Sequence, residues 1–221
     1  MPYIDSLADD PSKLNGIIKF YRYTNAIEAE EVVVENEKEE NIVNPKELFY
    51  IGDSWMVGLE SYIKNKVNDE YPGEDHFWAE VGLGARADKF ANANLKDRID
   101  SVNSEVSAIV IMLGLNDTSE AASNRMKEII DFLSTTYTEK NIYVLKVPHV
   151  GKAYKYEDID ANDLNEKIDE YNSRVLMHCA EIANVNFIDV TSEMMTDDLY
   201  LDIKYSESDG LHLNNTGKSV W

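Results

Sequence analysis

"ELFYIGDSWMVGLESYIKNKV", residues 47–67, changes its hydrophobic period in the middle. Up to Ile51 the apolar residues run consecutively, as in a strand buried on both faces. After Gly52-Asp53 they fall at Met56, Val57, Leu59, Ile63 and Val67, near helical spacing. A buried strand that turns through Gly-Asp into an amphipathic helix is the opening unit of a parallel α/β sheet. The helix is predicted over 54–70.

The same rhythm recurs downstream. "PGED" (72–75) reads as a turn and "HFWAEVG" (76–82) as a second strand, followed by helix or helical turns over 86–103. "VSAIVIML" (106–113) is the clearest central strand, and residues 119–136 repeat the helical pattern through Ala122, Met126, Ile129, Ile130 and Leu133. "NIYVLKVP" (141–148) is the next strand. Leu164, Ile168, Tyr171, Val175, Cys179 and Ile182 then form one stripe, predicting a long helix over about 161–184. "VNFIDV" (185–190) is the last strand, and "NNTGKSVW" (214–221) begins a short final helix. Alternating strands and helices predict a three-layer α/β/α fold with a mostly parallel central sheet of about five strands. Residues 48–221 read as this domain. Residues 1–47, with a short helix candidate and an edge-strand candidate "EVVVE" (31–35), read as an N-terminal extension packing on it.

Composition narrows the function. Asp and Glu total 42 against 21 Lys and Arg, a formal charge of -21, which disfavours nucleic acid and anionic membrane surfaces as partners. One cysteine, Cys179, excludes an intrachain disulfide and any multi-thiolate metal site within the chain. No run of 18 apolar residues predicts a membrane span. The N-terminus "MPYIDSLADD" lacks the basic and apolar regions of a signal peptide. The chain as it stands reads as cytoplasmic, or as an exported bacterial domain whose leader has been removed. Oligomeric state is left open.

In an open parallel sheet, ligands bind beyond the carboxyl ends of the strands. Those ends carry Gly52-Asp53-Ser54, then Gly82-Leu83-Gly84, then Gly114-Leu115-Asn116-Asp117, with Asp209 and His212 in the loop after the last strand. Ser54 is either an N-cap for the first helix or a nucleophile at its N-terminus. Asp209, three residues before His212, can orient its ring. Asn116 is a turn former or cap, with Asp117 as an alternative cap, or else an amide donor to an oxyanion. Gly84 and Ser54 can add backbone N–H groups to the same oxygen. Trp55 lines a pocket or packs in the core, with the core reading ahead. His76 reads as surface or strand-edge, His149 as a pocket-rim residue, and His178 as packing or solvent-facing. No G-x-S-x-G elbow and no G-x-G-x-x-G follow the first strand, which argues against the larger α/β-hydrolase site and a flavodoxin-like nucleotide binder.

Four blocks in order, "IGDSWMVGL", "VGLGAR", "MLGLNDT" and "DGLHLN", resemble the SGNH (GDSL-like) hydrolases, in particular their bacterial branch, over roughly residues 46–221. The first block has GDSW where the family name has GDSL. The resemblance implies a flavodoxin-like α/β/α sheet and a serine esterase working through an acyl-enzyme. It assigns Ser54 as nucleophile, His212 as base and Asp209 as its partner, with Gly84 and Asn116 in the oxyanion hole. It implies no metal or cofactor. The implied substrate is a small-molecule or carbohydrate ester, with acetyl as the acyl group. An acyltransferase on the same site and a non-catalytic glycan-binding module are the alternatives.

Overall fold

The computed structural model describes residues 45–66, 69, 71–87 and 89–221. Leu48–Gly52 forms strand β1 and Ser54–Lys66 helix α1. They are followed by β2 (Phe77–Ala79), α2 (Asn92–Ser101), β3 (Ala108–Met112), α3 (Glu120–Thr136) and β4 (Asn141–Leu145). A small hairpin, β5 (Lys155–Tyr156) with β6 (Ile159–Asp160), precedes α4 (Ala161–Cys179), β7 (Val185–Ile188) and α5 (Asn215–Val220).

Five strands pair in the order β2-β1-β3-β4-β7, all parallel. β3 is central, and all five of its residues are buried. Its alternation divides the core. Ile109 and Ile111 face one cluster with Leu95 and Ile99 of α2, Met126 and Ile130 of α3, and Ile168 and Val175 of α4. Val110 and Met112 face the other, with Met56 and Ile63 of α1 and Leu213 just before α5. The period of two thus places helices on both faces. Each fully buried Ile or Met side chain contributes roughly 1.5–3 kcal/mol to this packing.

Helix boundaries follow local caps. Ser119 accepts from Ala122 N to start α3, Asp160 accepts from Asn162 N and Asp163 N to start α4, and Asn214 accepts from Thr216 N and Gly217 N to start α5. Neither Asn116 nor Asp117, both considered as caps, takes that position. The region read as helix or helical turns over 86–103 holds a helix at Asn92–Ser101, and before it the backbone closes turns in which Ala87 N donates to Gly84 O and Phe90 N to Ala87 O. The long helix ends at Cys179 rather than near 184, although Ile182 still packs against the core. Of the helix predicted over 54–70, residues 67, 68 and 70 lie outside the described residues. So do residues 1–44, and with them the short helix, the "EVVVE" strand and most of the expected N-terminal extension. Pro45–Glu47 is a single turn leading into β1, and Glu47 O accepts from Ser107 N at 2.7 Å.

Candidate active site

α1 begins at Ser54, and the residue that caps it is Asp53, whose Oδ1 accepts from Trp55 N at 3.0 Å. Ser54 therefore has no capping duty, contrary to the capping alternative drawn from sequence. Its hydroxyl lies 3.1 Å from His212 Nε2. On the other side of the ring, His212 Nδ1 is 2.6 Å from Asp209 Oδ2. The second carboxylate oxygen, Asp209 Oδ1, accepts from Leu211 N at 2.9 Å and His212 N at 3.0 Å. The Asp-Gly-Leu-His spacing is thus a side-chain-to-backbone turn that sets the carboxylate against the ring of its own loop. An acceptor at Nδ1 fixes the tautomer with the proton on Nδ1, leaving the Nε2 lone pair toward Ser54.

Gly84 and Asn116 come together from the loops that follow β2 and β3, the two strands that flank β1. A Cβ built on Gly84 would stand 3.9 Å from Asn116 Cβ. Asn116 Nδ2 donates to Leu83 O at 3.1 Å and, more weakly, to Asp53 Oδ2 at 3.4 Å. All five residues singled out from sequence therefore sit at the carboxyl end of the sheet or in the loop that returns to it. Ser54, His212 and Asp209 form a continuous bonded chain. Gly84 and Asn116 are neighbours, and Asn116 reaches the Ser54 helix through Asp53.

Asp53 is the residue the sequence reading passed over. It is 0% exposed, and burial pushes its carboxyl up to about 6, against the opposing pulls of the Trp55 N–H and the charge on His212. Burial acts on Asp209 in the same direction. There, however, the His212 ring and the two backbone N–H groups outweigh it and hold the carboxyl below its ordinary value. The signal available for Asp53 was its place one residue before a helix-opening serine, where an Asp is a natural cap.

Trp55 is in the core, 3% exposed, as the preferred reading had it. His76 is not at the surface: it is 2% exposed, in the turn before the edge strand β2, with Nδ1 2.9 Å from Leu48 O. His149 joins Leu199 O at 2.6 Å to Asp169 Oδ1 of α4 at 2.7 Å. His178 meets Asp131 of α3 at 2.7 Å. Among the described residues, no group of three or more His, Cys, Asp or Glu is placed to hold a metal ion. No helix among them is long and apolar enough to cross a membrane.

The sequence model of the GDSL-like lipase/acylhydrolase family matches residues 50–220, which include every residue of this cluster. The chain belongs to the GDSL-like lipase/acylhydrolase family. It is a serine ester hydrolase with the SGNH hydrolase fold. Among solved structures, this hydrolase is similar to a GDSL-like lipase from Bacteroides thetaiotaomicron, with 16% identity over 80% of this chain and 85% of that one and a TM-score of 0.58. A candidate platelet activating factor from Streptococcus pneumonia has 21% identity over 82% of each chain and a TM-score of 0.58. A family 3 carbohydrate esterase from Clostridium thermocellum has 16% identity over 78% of this chain and 89% of that one, with a TM-score of 0.51. At these identities the likeness is one of fold. No curated protein sequence matches the chain significantly.

Proposed function

We propose that this GDSL-like hydrolase cleaves a small acyl ester, an acetyl ester carried on a carbohydrate, through an acyl-enzyme on Ser54, and that residues 48–221 form its catalytic unit. The observation that carries the reading is the bonded chain from Ser54 Oγ through His212 to Asp209, with His212 Nε2 at 3.1 Å from the hydroxyl.

In this mechanism His212 Nε2 takes the hydroxyl proton as Ser54 Oγ attacks the ester carbonyl carbon. The carbonyl oxygen becomes an oxyanion, held by the backbone N–H groups of Ser54 and Gly84 and by Asn116 Nδ2. Of the two bonds Asn116 Nδ2 now makes, the 3.4 Å bond to Asp53 is the weaker and the one an oxyanion displaces. His212 returns its proton to the departing alkoxide, and the acyl group stays on Ser54. A water then gives its proton to His212 and attacks the acyl carbon, which releases the acid and restores Ser54. Asp209 keeps the proton on Nδ1 and stabilises the ring while it is charged. A carbohydrate ester is supported by the carbohydrate esterases among the structures of this fold.

A substrate panel tests the reading: p-nitrophenyl acetate, butyrate and octanoate beside acetylated xylose and glucose. Acetate release from the sugars, with acetyl preferred over octanoyl, is expected. A preference for octanoyl with no acetate release from the sugars would contradict it.

A further inference from the structure

Trp55 occupies the position that is leucine in the GDSL name, and its indole makes a bond that no leucine can make. Trp55 Nε1 donates to Leu211 O at 2.9 Å. Leu211 directly precedes His212, as Ser54 directly precedes Trp55. The first turn of α1 and the histidine loop are therefore joined by two bonds between consecutive residues: Ser54 to His212, and Trp55 to Leu211.

The two bonds differ in kind. The Ser54–His212 bond has to break and re-form in every turnover as the proton moves. The Trp55–Leu211 bond touches no reacting atom. It is also anchored at both ends. The Trp55 backbone N–H is held by Asp53 Oδ1, and its ring meets the Trp221 ring edge to face, centroids 5.5 Å apart. At the other end Leu211 N donates to Asp209 Oδ1, so Leu211 is gripped through both its N–H and its carbonyl.

We propose that Trp55 is a positioning residue: its indole N–H, by holding the Leu211 carbonyl, keeps His212 within reach of Ser54 while their own bond breaks and re-forms. This rests on the reading of Ser54 and His212 as nucleophile and base. A displacement of about 1 Å in such a pair costs roughly a hundredfold in rate. The indole donor therefore acts on kcat and leaves substrate binding alone.

The test compares wild type, Trp55→Phe and Ser54→Ala on p-nitrophenyl acetate, with thermal melts of each. Phenylalanine keeps an aromatic ring in the core and removes the donor together with part of the indole's bulk. Expected is a kcat lower by about ten- to a hundredfold, with KM within about twofold and the variant still folded at the assay temperature. A Trp55→Phe kcat within about twofold of wild type, beside an inactive Ser54→Ala, overturns this inference and leaves the proposed nucleophile standing. An active Ser54→Ala removes both. Should Trp55→Phe fail to fold, site-specific replacement of Trp55 by benzothienylalanine, which keeps the bicyclic shape and lacks the N–H, decides by the same criterion. A kcat lower by about ten- to a hundredfold supports the inference, and a kcat within about twofold of wild type overturns it.

Discussion

Asp53 Oδ2 lies 3.4 Å from Asn116 Nδ2, which places a fully buried carboxylate between the helix that begins at Ser54 and the loop that carries the candidate oxyanion donor. Its other oxygen caps that helix through Trp55 N. The arrangement orders the site at a cost to stability, since a buried carboxylate gives up its hydration for two hydrogen bonds.

That cost depends on pH, and its sign is fixed. The Asp53 carboxyl is raised from 3.8 to about 6 by burial, so between those values the folded chain holds a proton that the unfolded chain has lost. The associated stability is complete below about 3.8 and gone above about 6, an effect of about 3 kcal/mol. Asp53→Asn keeps a capping oxygen and removes the charge. Its melting temperature should exceed that of wild type at pH 8, with the gap closing towards pH 5. A gap equal at both pH values would contradict the assignment.

Replacing Asp209 by Asn removes the acceptor that fixes the His212 tautomer at Nδ1. We expect kcat to fall by roughly 10³- to 10⁴-fold at neutral pH with the fold retained. Steady-state kinetics beside a circular dichroism melt would check it, and a loss of less than tenfold would mean that Asp209 does not orient the ring.

Asn116→Ala should lower kcat by about 10²- to 10³-fold and leave KM nearly unchanged, because an oxyanion donor acts in the transition state rather than on the bound ester. A rise in KM at constant kcat would instead make Asn116 a substrate-binding group.

Gly210 lies between Asp209 and His212 with φ +66, and a Cβ there would come within 2.7 Å of Tyr154 N. Its carbonyl accepts from Gly151 N at 2.6 Å, which ties the histidine loop to the segment leading into β5. Gly210→Ala should lose at least about 1–2 kcal/mol from the left-handed conformation alone, and should lower kcat as the loop shifts. Unchanged melting temperature and rate would show that the loop tolerates another backbone path.

The parts legible in the sequence were those written locally. The run over 106–113 announces a strand buried on both faces, and β3 is buried at every residue. The Asp209-to-His212 spacing announces a turn, and the turn forms with two backbone N–H groups on the carboxylate. What escaped depends on distant partners. His76 is buried with its Nδ1 bonded to Leu48 O, 28 residues earlier in the chain. The Trp55 bond to Leu211 spans 156 residues, and no periodicity encodes it. The β5–β6 hairpin is two residues per strand, too short to leave an alternating pattern.

Whether Ser54 is the nucleophile is decided by kcat/KM of wild type and Ser54→Ala on p-nitrophenyl acetate, measured in parallel. Expected are turnover by wild type and a fall of about a thousandfold or more in the variant. Ser54→Ala hydrolysing the ester at the wild-type rate would contradict that role.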